Sequence, residues 1–506
     1  MRRILFHILF LLPGFLLFAQ TPAVEWSKIF GGSGQDLGSD INMTSDGGYI
    51  AAVLCWSNDG DGLGNQGIND FLIIKLDQSG NVEWKNLYGG SSDDRVRSVI
   101  QTPDGGYIAV GESYSSDGDL TTNNGDTDGW VLKLNNTGEI EWEKSFGGSR
   151  EDGFFRVLSN SDGGYIVAGF SRVADGDVSY NHGGADCWVV KLTHNGELEW
   201  EKSYGGSLND AIYDMVPSPD GGFVFMAYSN SDDGDVSGNQ GELDIWVVKI
   251  DSSGNIEWEK TYGGSKIDVG HEIKATSDGG YIFFGYSNSA DGDISYHYGY
   301  PENHNYWVVK IDHTGEIEWE KSFGDEYGHN GNSIVQTADD GYILAGSFGI
   351  YYGAPPNISY KIIKLNVNGE TEWIESYGGS ERDIPKKILI TEDGGYIMVG
   401  QSESEDGDLP GNYGGYDAWI LKLFPEQASV VDYNSVDVIA YPNPAKNRIW
   451  LTQPGVDLTF WDLTGKLVLK AESGDSFDVS KLTDGIYLLV GKTLEGKEFS
   501  TRFIKK

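Results

Sequence analysis

Cysteine is nearly missing from this chain of 506 residues, which contains only Cys55 and Cys187. Two cysteines cannot build the dense disulfide framework of small exported domains. They also lie in different copies of the repeat described below, and neither neighbourhood suggests a catalytic thiol. The sequence therefore predicts two free structural thiols.

Positive charge is also scarce, with 36 Lys and Arg against 77 Asp and Glu and a net charge of −41. Residues 438–506 hold ten basic and eight acidic residues, and Arg2 and Arg3 add two positive charges, which leaves −45 for the region between. Such a surface repels nucleic acid and anionic membranes and attracts cations. A second interpretation stays open, in which the acids simply keep an exported protein soluble.

Long apolar runs are confined to one short segment near the start, Ile4 to Phe18, which follows Met1-Arg2-Arg3. A basic start, a short apolar core and small residues at the end are typical of a secretory signal peptide. The run is too short for a comfortable membrane span. We therefore expect residues 1–20 to be a signal peptide, and an exported mature protein without a transmembrane segment.

Common enzyme signatures are missing as well. The sequence has no Gly-x-Ser-x-Gly elbow and no phosphate-binding Gly-Lys-Ser/Thr loop. His271-Glu272 does not continue to the second histidine of a zinc-protease helix. Local motifs therefore favour no particular enzyme class.

A repeat dominates the sequence that remains. Its landmark tryptophans are 58, 58, 58, 58, 61 and 54 residues apart: Trp26, Trp84, Trp142, Trp200, Trp258, Trp319 and Trp373. Each copy contains four strand-like segments, two of them joined by an Asp-Gly turn, in which Gly tolerates positive φ. No helical pattern intervenes. The period and the strand count predict an all-β fold, a seven-bladed β-propeller over residues 21–424.

The two ends of the repeat region predict how the ring closes. The region begins with a Trp strand at Val24-Glu25-Trp26 and ends with Trp419 to Leu423, whose own Trp strand is missing. The N-terminal strand can therefore complete the last blade and remove the exposed sheet edges. An open β-solenoid is the alternative, although its repeats are usually shorter.

The sequence after the repeats has a different pattern from the repeats themselves. Residues 425–437 lack the repeat pattern and are predicted to be a linker. Residues 438–506 contain Tyr441-Pro442-Asn443-Pro444, then Leu458 to Lys466, then Leu482 to Val490 and a final segment from Phe499 to Lys506. These segments resemble the C-terminal sorting domain of proteins exported by the type IX secretion system of Bacteroidetes. From the residues alone, the same tail is a small β-sandwich of five to seven strands. The resemblance implies contact with the type IX machinery, export across the outer membrane, and attachment to the cell surface or release.

The loop between the third and fourth strand-like segments of each repeat is the strongest candidate for chemistry. Oxygen-bearing residues recur in it at positions 1, 3, 5, 7 and 12, a spacing that resembles a calcium loop. The predicted ligands are Asp117, Asp119, Thr121, Asn123, Asp128, Asp175, Asp177, Ser179, Asn181, Asp186, Asp233, Asp235, Ser237, Asn239, Asp244, Asp406, Asp408, Asn412 and Asp417. We call this segment the Asp loop.

The Asp loop also departs from a calcium loop. The glycine expected at position 6 is variable, the last ligand is Asp rather than Glu, and strands rather than helices flank the loop. The alternative is a turn-rich surface loop whose acids cap backbone groups. A second acid recurs after Gly-Gly-Ser in nearly every repeat, and this repetition predicts a structural role. It is found at Asp36, Asp94, Asp152, Asp210, Asp268 and Asp383.

Two classes of function are compatible with these observations. The first is a non-catalytic, secreted or surface-attached binding or adhesion scaffold that meets an extracellular glycan or protein. The second is an extracellular glycan-active hydrolase or lyase that uses propeller loops. Histidines of the fifth and sixth repeats, among them His304 and His329, are predicted to lie on the surface. Loop tyrosines form either a carbohydrate-binding rim or blade contacts. They are Tyr180, Tyr296, Tyr298, Tyr300, Tyr351, Tyr352 and Tyr413.

Overall fold

The computed structural model describes residues 17–348, 358–430, 438, 440–441, 443–462, 466–483, 485–494 and 498–506. Strands dominate these residues, and their one helical element is a single 3₁₀ turn, Gly60–Gly62. Within the same residues, no helix has the length and apolar character needed to cross a membrane. Two compact units are present, residues 21–426 and a second unit that contains residues 427–506.

The first unit contains seven antiparallel four-stranded sheets, which confirms the predicted propeller. We number the strands along the chain and the blades 1 to 7. Blade 1 contains β3 (Asp36–Met43), β4 (Tyr49–Cys55), β5 (Asp70–Leu76) and β6 (Val82–Tyr88). Blade 2 contains β7 (Asp94–Gln101), β8 (Tyr107–Ser113), β9 (Asp128–Leu134) and β10 (Ile140–Phe146). Blade 3 contains β11 (Asp152–Ser159), β12 (Tyr165–Ser171), β13 (Asp186–Leu192) and β14 (Leu198–Tyr204).

The remaining blades repeat this order. Blade 4 contains β15 (Asp210–Pro217), β16 (Phe223–Ser229), β17 (Asp244–Ile250) and β18 (Ile256–Tyr262). Blade 5 contains β19 (Asp268–Ala275), β20 (Tyr281–Ser287), β21 (Asn305–Ile311) and β22 (Ile317–Phe323). Blade 6 contains β23 (His329–Gln336), β24 (Tyr342–Phe348), β25 (Tyr360–Leu365) and β26 (Thr371–Tyr377). Blade 7 contains β27 (Asp383–Ile390), β28 (Tyr396–Ser402), β29 (Asp417–Leu423) and β2 (Val24–Phe30).

Ring closure follows the prediction. Strand β2 pairs with β29 from Val24 opposite Leu423 to Phe30 opposite Ala418, so the N-terminal Trp strand is the outer strand of blade 7. The first strands of successive blades contact each other around the centre, and β27 contacts β3. The repeats therefore form a closed ring and not an open solenoid. Every blade of the ring has a neighbour on both sides.

Short turns connect the strands on one face of the propeller. In blade 2, Asp104 Oδ1 accepts a hydrogen bond from Gly106 N at 2.9 Å, and Gly105 has a φ of 84°. The buried Lys133 amine bridges Asp104 and Glu141 at 3.0 and 2.7 Å. All seven blades carry this lysine at the same place: Lys75, Lys133, Lys191, Lys249, Lys310, Lys364 and Lys422. We call this side of the ring the turn face, and the side with the Asp loops and Gly-Gly-Ser segments the loop face.

The hydrophobic core lies between blades rather than within them. One cluster joins Phe71 and Ile73 of blade 1 to Val99, Trp130 and Leu132 of blade 2. The same packing joins blade 7 to blade 1. Cys55 and Cys187 are buried and free, and burial raises the pKa of both thiols, as expected for structural cysteines.

The second unit contains a short strand pair and the C-terminal domain. Strand β1 (Leu17–Gln20) pairs with β30 (Gln427–Val430), so part of the predicted linker is a strand. The predicted signal peptide otherwise lies outside the described residues. Strands β31 (Ala440–Tyr441), β32 (Arg448–Asp462), β33 (Leu467–Asp478), β34 (Gly485–Thr493) and β35 (Glu498–Lys505) form one five-stranded sheet. Their side chains share one core, so the predicted small β domain has one continuous sheet in place of two.

Candidate functional site

The acids at positions 1 and 3 of the Asp loop hold the Gly-Gly-Ser segment. In blade 2, Ser91 N donates to Asp117 Oδ1 at 2.7 Å, and Gly89 N donates to Asp119 Oδ2 at 3.1 Å. Blades 3, 4 and 7 repeat both bonds with Asp175, Asp177, Asp233, Asp235, Asp406 and Asp408. Each carboxylate therefore compensates backbone amides that belong to no strand pair.

The residues at positions 5 and 7 have separate partners. Thr121 Oγ1 donates to Glu143 of the outer strand at 2.5 Å, and the same glutamate accepts from Trp130 Nε1 at 3.1 Å. Ser179 and Ser237 make the equivalent bond to Glu201 and Glu259. Asn123 Oδ1 accepts from Gly125 N at 3.0 Å, while its Nδ2 donates to the carbonyl of Ser113 at 3.1 Å. Asn181, Asn239 and Asn412 do the same.

The acid at position 12 begins the third strand of its blade and is fully buried. In blade 2, Asn124 N donates to Asp128 Oδ2 at 2.7 Å. The other oxygen, Oδ1, has no hydrogen-bond partner among the described residues. The Oδ1 atoms of the corresponding acids in other blades also lack a partner. The acids concerned are Asp70, Asp128, Asp186, Asp244 and Asp417.

At the blade junctions, this acid meets the recurring acid of the next blade. A Cβ atom at Gly89 would lie 2.5 Å from Asp70 Oδ1 and 2.8 Å from Asp94 Oδ2, so both carboxyls face the same glycine. Burial, together with the neighbouring carboxylates, raises the pKa of Asp70 and Asp244 to about 7 and of Asp128 and Asp417 to about 6. Each junction therefore favours a proton or another cation.

The recurring acid after Gly-Gly-Ser has the predicted structural role. Asp210 Oδ2 accepts from Gly206 N at 2.8 Å and from Ser231 Oγ at 2.9 Å, and its Oδ1 accepts from Ser229 Oγ. The residue is fully buried. It ties the start of the first strand to the end of the second strand and to the Gly-Gly-Ser segment.

The predicted calcium ligands are not gathered around one point. Positions 1, 3, 5 and 7 are bonded to different groups, and position 12 lies buried at the blade junction. Among the residues that the structure describes, no three acids, histidines or cysteines are arranged to hold one metal ion. The hydrogen bonds are those of the alternative, a turn-rich structural loop, and calcium binding stays a prediction.

The central channel was not predicted from the sequence. In every blade, the pairing of the first and second strands shifts by one residue at the same place. This β-bulge turns the extra residue into the channel. The seven residues, which we call the bulge ring, are all different: Ser39, Arg97, Phe155, Tyr213, His271, Asn332 and Lys386. They line a cavity of about 120 Å³.

The next residue of each first strand forms a second ring, further from the loop face. We call it the ion ring: Asp40, Ser98, Arg156, Asp214, Glu272, Ser333 and Lys387. Lys387 of blade 7 pairs with Asp40 of blade 1, whose Oδ2 accepts from Val99 N of blade 2 at 2.9 Å. Arg156 pairs with Asp214 at 2.8 Å. These bonds cross from blade to blade and make the ion ring part of the scaffold.

Two carboxyls of the ion ring, Asp40 and Glu272, have lowered pKa values. Burial opposes the charge of Asp40, but Lys387 and Arg156 outweigh it and hold the pKa of Asp40 below its usual range. The pKa of Glu272 is likewise lowered, because Lys274, Lys387 and Arg156 outweigh the effect of burial. Glu272 Oε2 also accepts from Ile334 N at 2.7 Å. Neither group is available as a proton donor near neutral pH.

A groove on the loop face continues from the bulge ring across blades 2 to 4. It has a volume of about 280 Å³ and shares Arg97, Phe155 and Tyr213 with the channel cavity. Half-buried aromatic rings form its floor, since Phe155 stacks on Tyr213 with centroids 6.0 Å apart and contacts Phe170 at 5.6 Å. We call it the aromatic groove; it is lined by Arg95, Arg97, Glu112, Tyr114, Thr127, Glu151, Phe155, Phe170, Arg172, Tyr213 and Tyr228.

Two surface predictions have definite outcomes. His304 and His329 are buried rather than exposed: His304 stacks on Tyr286 at 4.2 Å, and His329 begins β23 where other blades have the recurring acid. That prediction was wrong because blade 6 replaces the acid by a ring that packs against Tyr306 and Phe348.

The loop tyrosines at 180, 296, 298, 300 and 413 are exposed, so they do not serve as blade contacts. Tyr351 and Tyr352 lie outside the described residues.

Three solved structures have a weak similarity to this chain, each with a TM-score below 0.5. A puromycin hydrolase structure matches with a TM-score of 0.45 and 10% identity over 93% of this chain and 60% of its own. The Pan2 WD40 domain of Neurospora crassa matches with a TM-score of 0.42 and 10% identity, over 77% of this chain and 89% of its own. A DUF4221 protein of Bacteroides vulgatus matches with a TM-score of 0.34 and 9% identity, over 81% of this chain and 98% of its own. The chain thus spans about 60% of the hydrolase. At this level of similarity the matches carry no information about activity.

No curated protein matches the sequence. A family model does match its tail: residues 439–506 match the secretion system C-terminal sorting domain. This confirms the resemblance inferred from the Tyr441 and Leu458–Lys466 segments. Residues 439–506 are a C-terminal sorting domain, and the protein is exported by the type IX secretion system to the cell surface or the surrounding medium.

Proposed function

We propose that the exported propeller is a non-catalytic scaffold that binds an extracellular ligand at the mouth of its central channel. One observation carries the proposal. The bulge ring has a different residue in each of seven blades, whereas the acid that begins the same strand recurs in six of them. A single ligand site requires one set of chemically distinct groups, and copies of one residue around a ring do not supply such a set.

The carboxyls of the channel also favour binding over hydrolysis. Glycoside hydrolysis needs one carboxyl that keeps its proton beside one that is ionised. Asp40, Asp214 and Glu272 are all in ion pairs. The lowered pKa of Asp40 and of Glu272 makes both groups unsuitable as the carboxyl that keeps its proton.

One observation favours a lyase as the second candidate. The His271 Nδ1–H group donates to the Gly331 carbonyl at 2.6 Å, which directs the unprotonated Nε2 elsewhere. Burial, mainly, lowers the pKa of His271 to about 4, so the imidazole is neutral at pH 7. Tyr213 contacts the same ring at 5.4 Å. A neutral imidazole in the cavity that Arg97 also lines supplies a base and a carboxylate-binding group for proton abstraction.

A glycan and protein array separates these functions. The full chain is compared with a bulge-ring variant, Arg97→Ala with Tyr213→Ala, and a rim variant, Tyr300→Ser with Tyr413→Ser. The proposal predicts that array signals are lost in the bulge-ring variant and kept in the rim variant. Signals that survive in the bulge-ring variant would place the ligand elsewhere. Release of unsaturated sugar that disappears in His271→Ala would replace the scaffold by the lyase.

Calcium stabilisation is a separate part of the proposal. It is supported by the buried, unpartnered Oδ1 atoms of the position-12 acids, each next to a second carboxyl. Thermal unfolding with calcium and with chelator tests it on the full chain. A melting temperature that falls on chelation, and falls less in Asp128→Asn with Asp244→Asn, supports junction metal sites. Equal melting temperatures in both buffers would leave the junctions protonated and the calcium prediction wrong.

A further inference from the structure

We infer that the ligand of the channel mouth is an acidic sugar, whose carboxylate lies between Arg97 and Lys386 and whose ring lies on the aromatic groove. The inference rests on the proposed function and adds the chemical class of the ligand. Its evidence is the distribution of charge and of aromatic faces around the cavity, taken in three steps.

Cations are concentrated at this place in a strongly acidic chain. The residues that line the channel cavity and the aromatic groove include six of the 36 basic residues and five of the 77 acidic ones. The six are Arg95, Arg97, Arg156, Arg172, Lys386 and Lys387. Since the rest of the propeller repels anions, this region is where an anionic group finds a complement.

One cation of the bulge ring has no ion-pair partner among the described residues. Burial and the Arg97 charge lower the pKa of this group, Lys386, and Glu272 and Asp40 offset them only in part. Arg97 pairs with Glu112, and Lys387 pairs with Asp40. Lys386 is exposed to the channel, and no hydrogen bond or ion pair joins it to another of the described residues. Asn332 and the Arg97 guanidinium, whose side chain is 39% exposed, line the same cavity. These donors suit the two oxygens of a carboxylate.

The aromatic groove supplies the apolar part of the site. The Arg97 guanidinium lies 5.2 Å from the centroid of Phe155, and that of Arg172 lies 5.9 Å from Phe170. Phe155 and Tyr213 are nearly parallel, with 20° between their planes, and both are half-buried. A flat aromatic floor edged by guanidinium groups suits a ring with an apolar face and an acidic substituent. An acidic sugar has both features, and the type IX export of this chain delivers the site to an extracellular space.

Calorimetric titration of the full chain with trigalacturonic acid tests the inference, with the neutral galactotriose and a sulfated trisaccharide as comparison ligands. We expect trigalacturonic acid to bind, galactotriose to bind at least about tenfold more weakly, and Lys386→Ala and Arg97→Gln to weaken the acidic ligand about tenfold each. Lys386→Arg should keep most of the affinity. Lys144→Ala, on the outer strand β10, is the matched surface control and should leave the affinity unchanged.

The other outcomes each decide one point. Equal affinity for galactotriose and the acid, both lost in Tyr213→Ala, would overturn the acidic sugar and leave the proposed channel-mouth site in place. Tighter binding of the sulfated ligand would assign the site to sulfated sugars and overturn the carboxylate. Acid binding that survives in Lys386→Ala and Arg97→Gln would overturn both the inference and the location of the site. Failure of all three sugars to bind would overturn the inference, and the array would then decide the proposed function alone.

Discussion

Two positions of each first strand vary in opposite ways around the ring. The strand begins with a buried Asp in six blades and with His329 in blade 6. The aspartates join neighbouring segments by the same hydrogen bonds. Three residues later, the bulge ring has seven different residues. At these two positions, repetition accompanies a role in holding the blades together, and variation accompanies exposure to the channel. The ion ring lies between these extremes, because it varies in sequence but bonds blade to blade.

The pH dependence of stability should show the largest effect of the repeated positions. The folded-state pKa of Asp70, Asp128, Asp244 and Asp417 is raised to between about 6 and about 7. The folded protein therefore binds more protons than the unfolded chain between about pH 4 and pH 7, and stability falls as pH rises through this window. Each carboxyl contributes on the order of 1 kcal/mol to the free energy of unfolding, after allowance for water access. The four carboxyls together therefore contribute about 4 kcal/mol.

Urea unfolding in chelator at pH 5.5 and pH 8 measures this difference. The variant with Asn at all four positions should lose most of it, because blade 5 already has Asn305 there, with its side chain bonded to Tyr298. The acids of the turn face, such as Asp104, are the control, because their pKa values are shifted in the opposite direction. The pKa of Asp104 is lowered to about 2, mainly by hydrogen bonds that outweigh desolvation, so it affects stability only below about pH 4. Stability that is flat from pH 5.5 to pH 8 would show that the junctions are not protonated.

The ion ring should give the next largest effect. Lys387→Met leaves the Asp40 carboxylate, 1% exposed, without its main counter-charge, although Ser98 Oγ and Val99 N still donate to it. Removing one partner of a buried pair costs about 3 kcal/mol or more. Denaturant unfolding should show this loss, and Lys144→Met on the outer surface should change stability by less than about 0.5 kcal/mol. Equal stabilities for the two variants would contradict the scaffold role of the ion ring.

A repeated acid should give a smaller effect when its shape is kept. Asp210→Asn retains one acceptor oxygen and turns an amide group toward the donors Gly206 N and Ser231 Oγ. We expect a loss of about 2 kcal/mol in the free energy of unfolding, because buried donors lose their acceptor. Asp232→Asn, an exposed neighbour in the Asp loop, is the control. A loss no greater than that of the control would contradict the structural role of this acid.

The smallest effect is expected at the exposed tyrosines. Tyr300 and Tyr413 are 67% and 65% exposed, so Tyr300→Ser and Tyr413→Ser should change stability by less than about 0.5 kcal/mol. Their affinity for the ligand should equal that of the unchanged protein, because the aromatic groove lies nearer the channel. A tenfold weaker affinity would extend the binding site to the rim and weaken the contrast between rim and bulge ring.

The sequence was sufficient for the ring but not for its centre. Evenly spaced Trp residues and Asp-Gly turns are local signals, and they predicted seven blades and the closing strand at Val24. The pairing of Asp40 with Lys387 joins residues 347 apart in the chain, and only ring closure brings them together. The bulge ring was missed because its residues do not repeat. An alignment of the seven repeats could have shown it as a position, occupied by Arg97, His271 and Lys386 among others, that differs in every repeat three residues after the first acid.

The Asp loop shows a different limit. Its spacing predicted a chelating loop, but spacing does not determine which way each side chain points. Asp117 and Asp119 turn toward the amides of Ser91 and Gly89, near the start of the same blade, because those amides have no strand partner. The backbone thus competes with a cation for these oxygens, and the chain from residue 117 to 128 contains no signal for the outcome.

The most direct test of the account is one array measurement on two variants, made at a temperature where both are folded. Asp210→Asn changes a repeated position, and Lys386→Ala changes a bulge-ring position. The account predicts that Asp210→Asn melts at a lower temperature but keeps the full binding signal, whereas Lys386→Ala melts normally and loses the signal. Loss of binding in Asp210→Asn with full binding in Lys386→Ala would contradict it.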